Sequence, residues 1–126
     1  MRPGYIFDAG ALIGVERSDR TMHDIVGRAR MRGLSIVIPA GVLGQVWRDG
    51  ARQARLASLL SRAEVVVEPL DDVRARAAGR LCGARGTFDV IDASVVLSAR
   101  VHGHRVVTSD PDDLGRLDPT LVLIVV

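Results

Sequence analysis

Short β-prone runs that alternate with helix-length segments predict a single α/β domain with a central parallel sheet. Three observations carry that prediction. The apolar pattern switches repeatedly between strand-like and helix-like periods. Helical segments separate the strands, and strands joined in that way pair in parallel through right-handed crossovers. No repeat, low-complexity stretch or linker divides the 126 residues, a length that supports one core and is short for two. Residues 1–126 are therefore read as one domain.

Tyr5, Ile6 and Phe7 read as the first strand, followed by Asp8, Ala9 and Gly10 and an apolar helical segment over 11–15. A second helix is expected over 21–31, with Gly33 as its stop signal, and a second strand over 35–38. Pro39 suits the first turn of the next helix, in which Val42/Val46 and Leu43/Trp47 are i,i+4 pairs and which Gly50 ends. A helix over 51–61 leads to a third strand, 64–68. Asp71 and Asp72 suit the start of the following helix, because carboxylates favour a helix N-terminus. Val73, Ala77 and Leu81 supply its apolar side, and Gly83 and Gly86 break it. Residues 88–101 read as a further helix with Val95, Val96 and Ala99 inward and Gly103 at its end. A fourth strand, 105–108, is followed by an acidic turn, 109–113, a short helical turn, and a closing strand over 121–125.

Composition narrows the chemistry. With 48% hydrophobic and only 3% aromatic residues, the core must be aliphatic. All 17 basic residues are arginine, so lysine nucleophiles, Schiff bases and the P-loop lysine are excluded. The single cysteine, Cys82, allows no internal disulfide and is expected to be a buried small hydrophobe in a reducing compartment. The longest apolar run, 121–126, falls far short of the ~20 residues that span a bilayer, and the first residues lack a signal-peptide pattern. A cytoplasmic protein without a membrane role is expected.

Ligands of open parallel sheets bind beyond the carboxyl ends of the strands, which directs attention to acids just after strands. Asp8 follows strand one, Asp110 follows strand four, and Asp92 lies in the first turn of the helix that feeds strand four. Asp89 is one turn earlier on the same helical face as Asp92. Clustered carboxylates repel by about 4 kcal/mol per close pair at an intermediate dielectric. A divalent cation compensates that repulsion, and magnesium binds through a few carboxylates while keeping several waters. Such a cation activates water and offsets charge on a phosphate, which is the chemistry of phosphodiester hydrolysis. Aspartates after strands also form turns and caps, and on spacing alone Asp113 and then Asp89 fit that plainer role best.

At these residues the chain resembles the PIN domain family, and within it the VapC-type toxins of bacterial toxin-antitoxin pairs. The resemblance spans nearly the whole chain. It rests on the run from Tyr5 through Asp8 to Leu12, on Ile38-Pro39-Ala40 and the helix after them, on Asp92-Ala93, and on Val107-Thr108-Ser109-Asp110-Pro111-Asp112-Asp113-Leu114. It implies a three-layer α/β/α fold, an endoribonuclease that uses Mg²⁺ or Mn²⁺, an RNA substrate, a homodimer, and a cognate antitoxin that occludes the site. Carried over by position, Asp8, Asp92 and Asp110 are the expected catalytic, metal-binding acids. Asp113, Thr108 and Ser109 belong to the last motif and are expected to support the ligands or the substrate. Gln45 stands where family members usually carry a glutamate; its amide oxygen can ligate or orient but cannot act as a base. Asp89 is a possible source of the missing charge.

Other residues are weighed against plainer roles. Arg48, close to Gln45, is expected either to orient an acid, to contact RNA, or to form a structural ion pair. Arg52, Arg55 and Arg62 form either a phosphate-tracking face or an ordinary solvated one. His23, His102 and His104 have no ligand-like spacing, and Trp47 is expected in the core or at a subunit interface. Leu12, Ile13, Ile25 and Val26 give more aliphatic surface than one small core covers, which a second copy or an antitoxin would take up. Two rival readings remain: a catalytically weakened RNA- or protein-binding module, as Gln45 suggests, and a phospho-receiver domain, which the absence of lysine opposes.

Overall fold

In the computed structural model residues 2–126 are described, and Met1 lies outside them. The elements run β1 (Tyr5–Phe7), α1 (Ala9–Glu16), α2 (Arg20–Arg32), β2 (Ile36–Pro39), α3 (Ala40–Val46), α4 (Ala54–Leu60), β3 (Val65–Glu68), α5 (Asp72–Arg85), α6 (Val90–His102), β4 (Arg105–Thr108), α7 (Pro111–Leu117) and β5 (Leu123–Val125). The five strands pair in parallel throughout, in the order β3-β2-β1-β4-β5. Helices α1, α3 and α4 pack together, as do α5, α6 and α7, and the two groups sandwich the sheet as a three-layer α/β/α fold.

β1 sits at the centre because its three residues are large and apolar. Tyr5, Ile6 and Phe7 are fully buried between the two helical layers, and burial of each such side chain stabilises the fold by about 1.5–3 kcal/mol. The Arg105 guanidinium lies 4.6 Å from the centre of the Tyr5 ring and fixes the entry of β4 beside β1. The sheet order places a switch point between β1 and β4. From β1 the chain moves to one side, through β2 to β3, and then crosses back to β4 and β5 on the other. Crevices at such points are where parallel α/β folds bind ligands.

Several element boundaries differ from those expected, each for a local reason. α1 starts at Ala9 because Asp8 caps it, accepting a hydrogen bond from the Ala11 N–H at 3.1 Å. Pro39 is not in the first turn of α3 but ends β2, paired with Glu68, with an extended ψ of 135°. Missing an N–H costs little at a strand end. α3 stops at Val46, before Gly50, and α4 begins only at Ala54. The buried Gln53 side chain organises the turn between them, accepting from the N–H groups of Arg48 at 2.8 Å and Asp49 at 3.0 Å. Gly83 lies inside α5, which continues to Gly86 at φ 69°. The buried side of that helix is Ala78 and Cys82, whereas Val73 is 77% exposed. α6 starts at Val90 and not at residue 88, because Asp89 supplies its cap. The expected helical turn after β4 is a helix of seven residues, α7.

One polar cluster ties the helical layer to the sheet edge. Glu68, at the end of β3, accepts from Ser98 Oγ at 2.6 Å and Arg74 at 2.7 Å, and pairs with His102 at 2.5 Å. Burial pushes the Glu68 carboxyl up, but these three partners outweigh it and hold the group at about 2. Asp118 is held at about 2 in a similar way by Thr120 and Arg100, against its burial. Of the early-helix residues expected to be surplus to the core, Leu12 and Ile25 are in fact buried within it. Ile13 remains exposed, and Val26 lines an apolar groove between α1, α2 and α4. No helix of the described residues is long and apolar enough to cross a membrane.

Candidate active site

Asp8 leaves β1 with its backbone N–H still donating to the Val107 carbonyl at 3.2 Å, so the β1–β4 ladder itself aims the side chain into the crevice. The residue is 8% exposed. Burial raises the Asp8 pKa, against the lowering effect of hydrogen bonds from the Thr108 hydroxyl and the Ala11 and Gly10 N–H groups. Thr108, the buried last residue of β4, works in two directions. Besides contacting Asp8, its Oγ accepts from the Asp110 N–H at 2.8 Å and so sets the path of the chain out of the strand. Ser109 is exposed and fits against Gly10, where there is no side chain to displace it.

Asp92 arrives from the other helical layer. It is the third residue of α6, and its N–H donates to Asp89 Oδ1 at 2.9 Å, so Asp89 fixes the turn that presents it. Ile91 beside it packs on α3 at Gly41, where a β-carbon would come within 2.4 Å of Ile91 Cδ1. Desolvation by burial pushes the Asp92 carboxyl up to about 7, assisted by the negative charges of Asp89, Asp113 and Asp110. Asp110 is raised as well, first by a hydrogen bond shared with Asp113 and then by burial and the charges of Asp113 and Asp8.

Carboxylate oxygens of Asp92, Asp110 and Asp113 lie within 4.8 Å of one another, a grouping of acids that suits a metal ion. Two of the three acids expected from the strand exits, Asp92 and Asp110, are members; Asp8 lies outside the grouping, near enough for its charge to raise Asp110. Asp113, for which spacing alone suggested a cap, is the third. Its presence follows from α7: Pro111 opens the helix, so Asp110 and Asp113 lie three residues apart at its first turn. The same spacing links Asp89 to Asp92, and it was the available signal. At about 4.8 Å and an effective dielectric near 20, each charged pair repels by about 3–4 kcal/mol. An all-oxygen, anionic donor set of this kind fits a hard divalent cation such as Mg²⁺ or Mn²⁺.

The remaining predicted residues are not members of this cluster. Gln45 is exposed on α3 and lines a groove with Ile13, Glu16, Arg17 and Arg48. Arg48 donates to the carbonyls of Trp47 at 2.7 Å and Gly44 at 3.3 Å rather than to an acid. Arg52 pairs with Asp49 and Arg62 with Glu64, while Arg55 reaches the Glu16 carbonyl. His23 lines the apolar groove between α1, α2 and α4; His102 holds Glu68, and His104 Nδ1 accepts from the Gly4 N–H at 2.9 Å. Trp47 is partly exposed against Gly50.

The model of the PIN domain matches residues 5–118 of the chain. No curated protein matches it. Among solved structures, the chain is similar to VapBC2 from Rickettsia felis bound to a DNA fragment from its promoter, with TM-score 0.71 and 16% identity over 97% of this chain and 98% of that one. It is also similar to FitAcB from Neisseria gonorrhoeae, with TM-score 0.57 and 14% identity over 95% of this chain and 96% of the other. FitAB bound to the IR36 DNA fragment gives TM-score 0.58 at 11% identity, covering 95% and 93% of the two chains. At these identities the structural likeness speaks for the fold, whereas the family model spans nearly the entire domain. The chain, with its acids gathered at the β1–β4 crevice, belongs to the PIN domain family.

Proposed function

We propose that this protein is an endoribonuclease dependent on Mg²⁺ or Mn²⁺ and the toxin of a toxin-antitoxin pair. The observation that carries the reading is the meeting of Asp92, Asp110 and Asp113 within 4.8 Å, with Asp8 alongside, at the sheet's switch point. Asp8, Asp92 and Asp110 would hold the cation, with Asp113 completing the anionic pocket. When bound, the cation supplies water activation and charge neutralisation at the scissile phosphate. The protein's own contribution is preorganisation. Thr108 fixes Asp110 through its N–H and steadies Asp8, while Asp89 fixes Asp92, so the carboxylates are aligned before any substrate arrives.

The partner reading has separate support. VapBC2 and FitAB are toxin-antitoxin complexes of similar fold. The groove of about 400 Å³ lined by Val15, Met22, Val26 and Leu59, with Arg55 and Arg62 at its rim, offers an apolar seat for an antitoxin. A cytoplasmic homodimer is part of the same proposal. The decisive experiment uses purified protein and total RNA. Cleavage should require added Mg²⁺ or Mn²⁺, stop in EDTA and vanish in Asp8→Asn; cleavage that persists in EDTA and in that variant would defeat the mechanism.

A further inference from the structure

We propose that Phe88 is a stacking platform for a base of the RNA beside the scissile bond, an inference that rests on the ribonuclease reading above. Phe88 is 96% exposed, whereas Tyr5 and Phe7 are buried and Trp47 is only partly exposed. Its place in the chain makes that exposure informative. Phe88 directly precedes Asp89, the cap of α6, which is the position from which an apolar side chain ordinarily folds back onto the fourth helical residue. That residue here is Ala93, which is fully buried, and Phe88 does not cover it.

The ring is also held out by a short, pinned connection. Only residues 86–89 join α5 to α6. Gly86 takes φ 69°, the Thr87 N–H donates to the Cys82 carbonyl at 3.0 Å, and Asp89 Oδ1 accepts from the Asp92 N–H. Thr87 is turned partly inward, which leaves its neighbour Phe88 outward. Phe88 precedes Asp92 by four positions, which keeps their backbones at most roughly 14 Å apart. A nucleotide next to a phosphate at the carboxylates therefore comes within range of the ring. Stacking on an aromatic face is sequence-tolerant and needs no charge, so it complements a cluster that binds through its acids.

The test compares wild type with Phe88→Ala and Phe88→Trp on a short single-stranded RNA of mixed sequence. Phe88→Ala should raise KM by roughly five- to a hundredfold with little change in kcat. Phe88→Trp should restore KM, and Mn²⁺ affinity and melting temperature should stay unchanged in both. An RNA lacking one base beside the cut should bind wild type as weakly as intact RNA binds Phe88→Ala. Unchanged KM in Phe88→Ala overturns the proposal, as does an effect limited to dimer mass or to antitoxin affinity, which would make the ring a protein contact. Binding of the same RNA in EDTA separates the two levels of inference. Binding lost in Phe88→Ala by a protein that never cleaves in Mg²⁺ or Mn²⁺ sinks the nuclease reading and leaves Phe88 a base-stacking residue without a scissile bond; cleavage with equal binding sinks the platform alone; a wild type that neither binds in EDTA nor cleaves with metal sinks both.

Discussion

Gly10 and Ser109 meet where the chain leaves β1 and β4: a β-carbon on residue 10 would stand 2.0 Å from Ser109 Oγ and 3.0 Å from the Ser109 backbone nitrogen. Glycine is needed there for space, because the two strand exits that carry Asp8 and Asp110 converge.

Gly10→Ala should accordingly cost about 1–3 kcal/mol of stability, the usual price of overpacking, and should weaken Mn²⁺ binding by displacing Asp110. Ser109→Gly removes the 2.0 Å and 2.6 Å conflicts but leaves the backbone one, so the double variant should recover part of the loss. Urea melts and calorimetric Mn²⁺ titrations of the four proteins of this cycle measure it. Strict additivity would mean the two residues do not communicate.

Asp92 gives a pH dependence of definite sign. Its folded pKa, about 7, lies above the ordinary 3.8, so the folded state favours the protonated acid. Stability from this group is complete below about pH 4 and is lost as pH rises through 7. In metal-free protein, Asp92→Asn should be more stable than wild type by on the order of 2 kcal/mol above pH 7 and equal to it near pH 4. Cation binding opposes the same proton, so Mn²⁺ affinity of wild type should climb with pH and level off above 7. Asp89→Asn, which keeps a capping side chain, should move that climb to lower pH. A pH-independent affinity would show that Asp92 is not a ligand.

Gln45→Glu adds a carboxylate at the position where the PIN resemblance expects one. Mn²⁺ affinity should rise several-fold, and RNA cleavage at limiting metal should rise with it. Titration calorimetry decides the matter: an unchanged affinity would assign Gln45 to the Arg17 and Arg48 groove alone.

The strand exits were the most readable part of the chain, because Asp8 and Asp110 each follow a run of three or four β-prone residues and parallel sheets bind at that end. Asp92 was legible from its place at a helix start. Asp113 was not singled out as a ligand, since an acid near a proline in an acidic turn looks like a cap until the helix after β4 is known to be two turns long. Boundaries blurred where a side chain overrode local propensity. Asp89 starts α6 after Phe88, Gln53 holds open the link before α4, and α5 packs firmly enough on α6 to continue past Gly83 in its last turn. Phe88 reads as the first residue of α6 for the same reason.

The β1–β4 ladder pairs Tyr5 with Arg105, and Asp110 and Asp113 lie later still. A chain cut between residues 92 and 105 therefore holds Asp8 and Asp92 without their companions and leaves one edge of its central strand bare. On the ribonuclease proposal such a fragment should bind no Mn²⁺ and cut no RNA, because the cluster is completed only when this long-range pairing, a slow kind of contact to form, has closed.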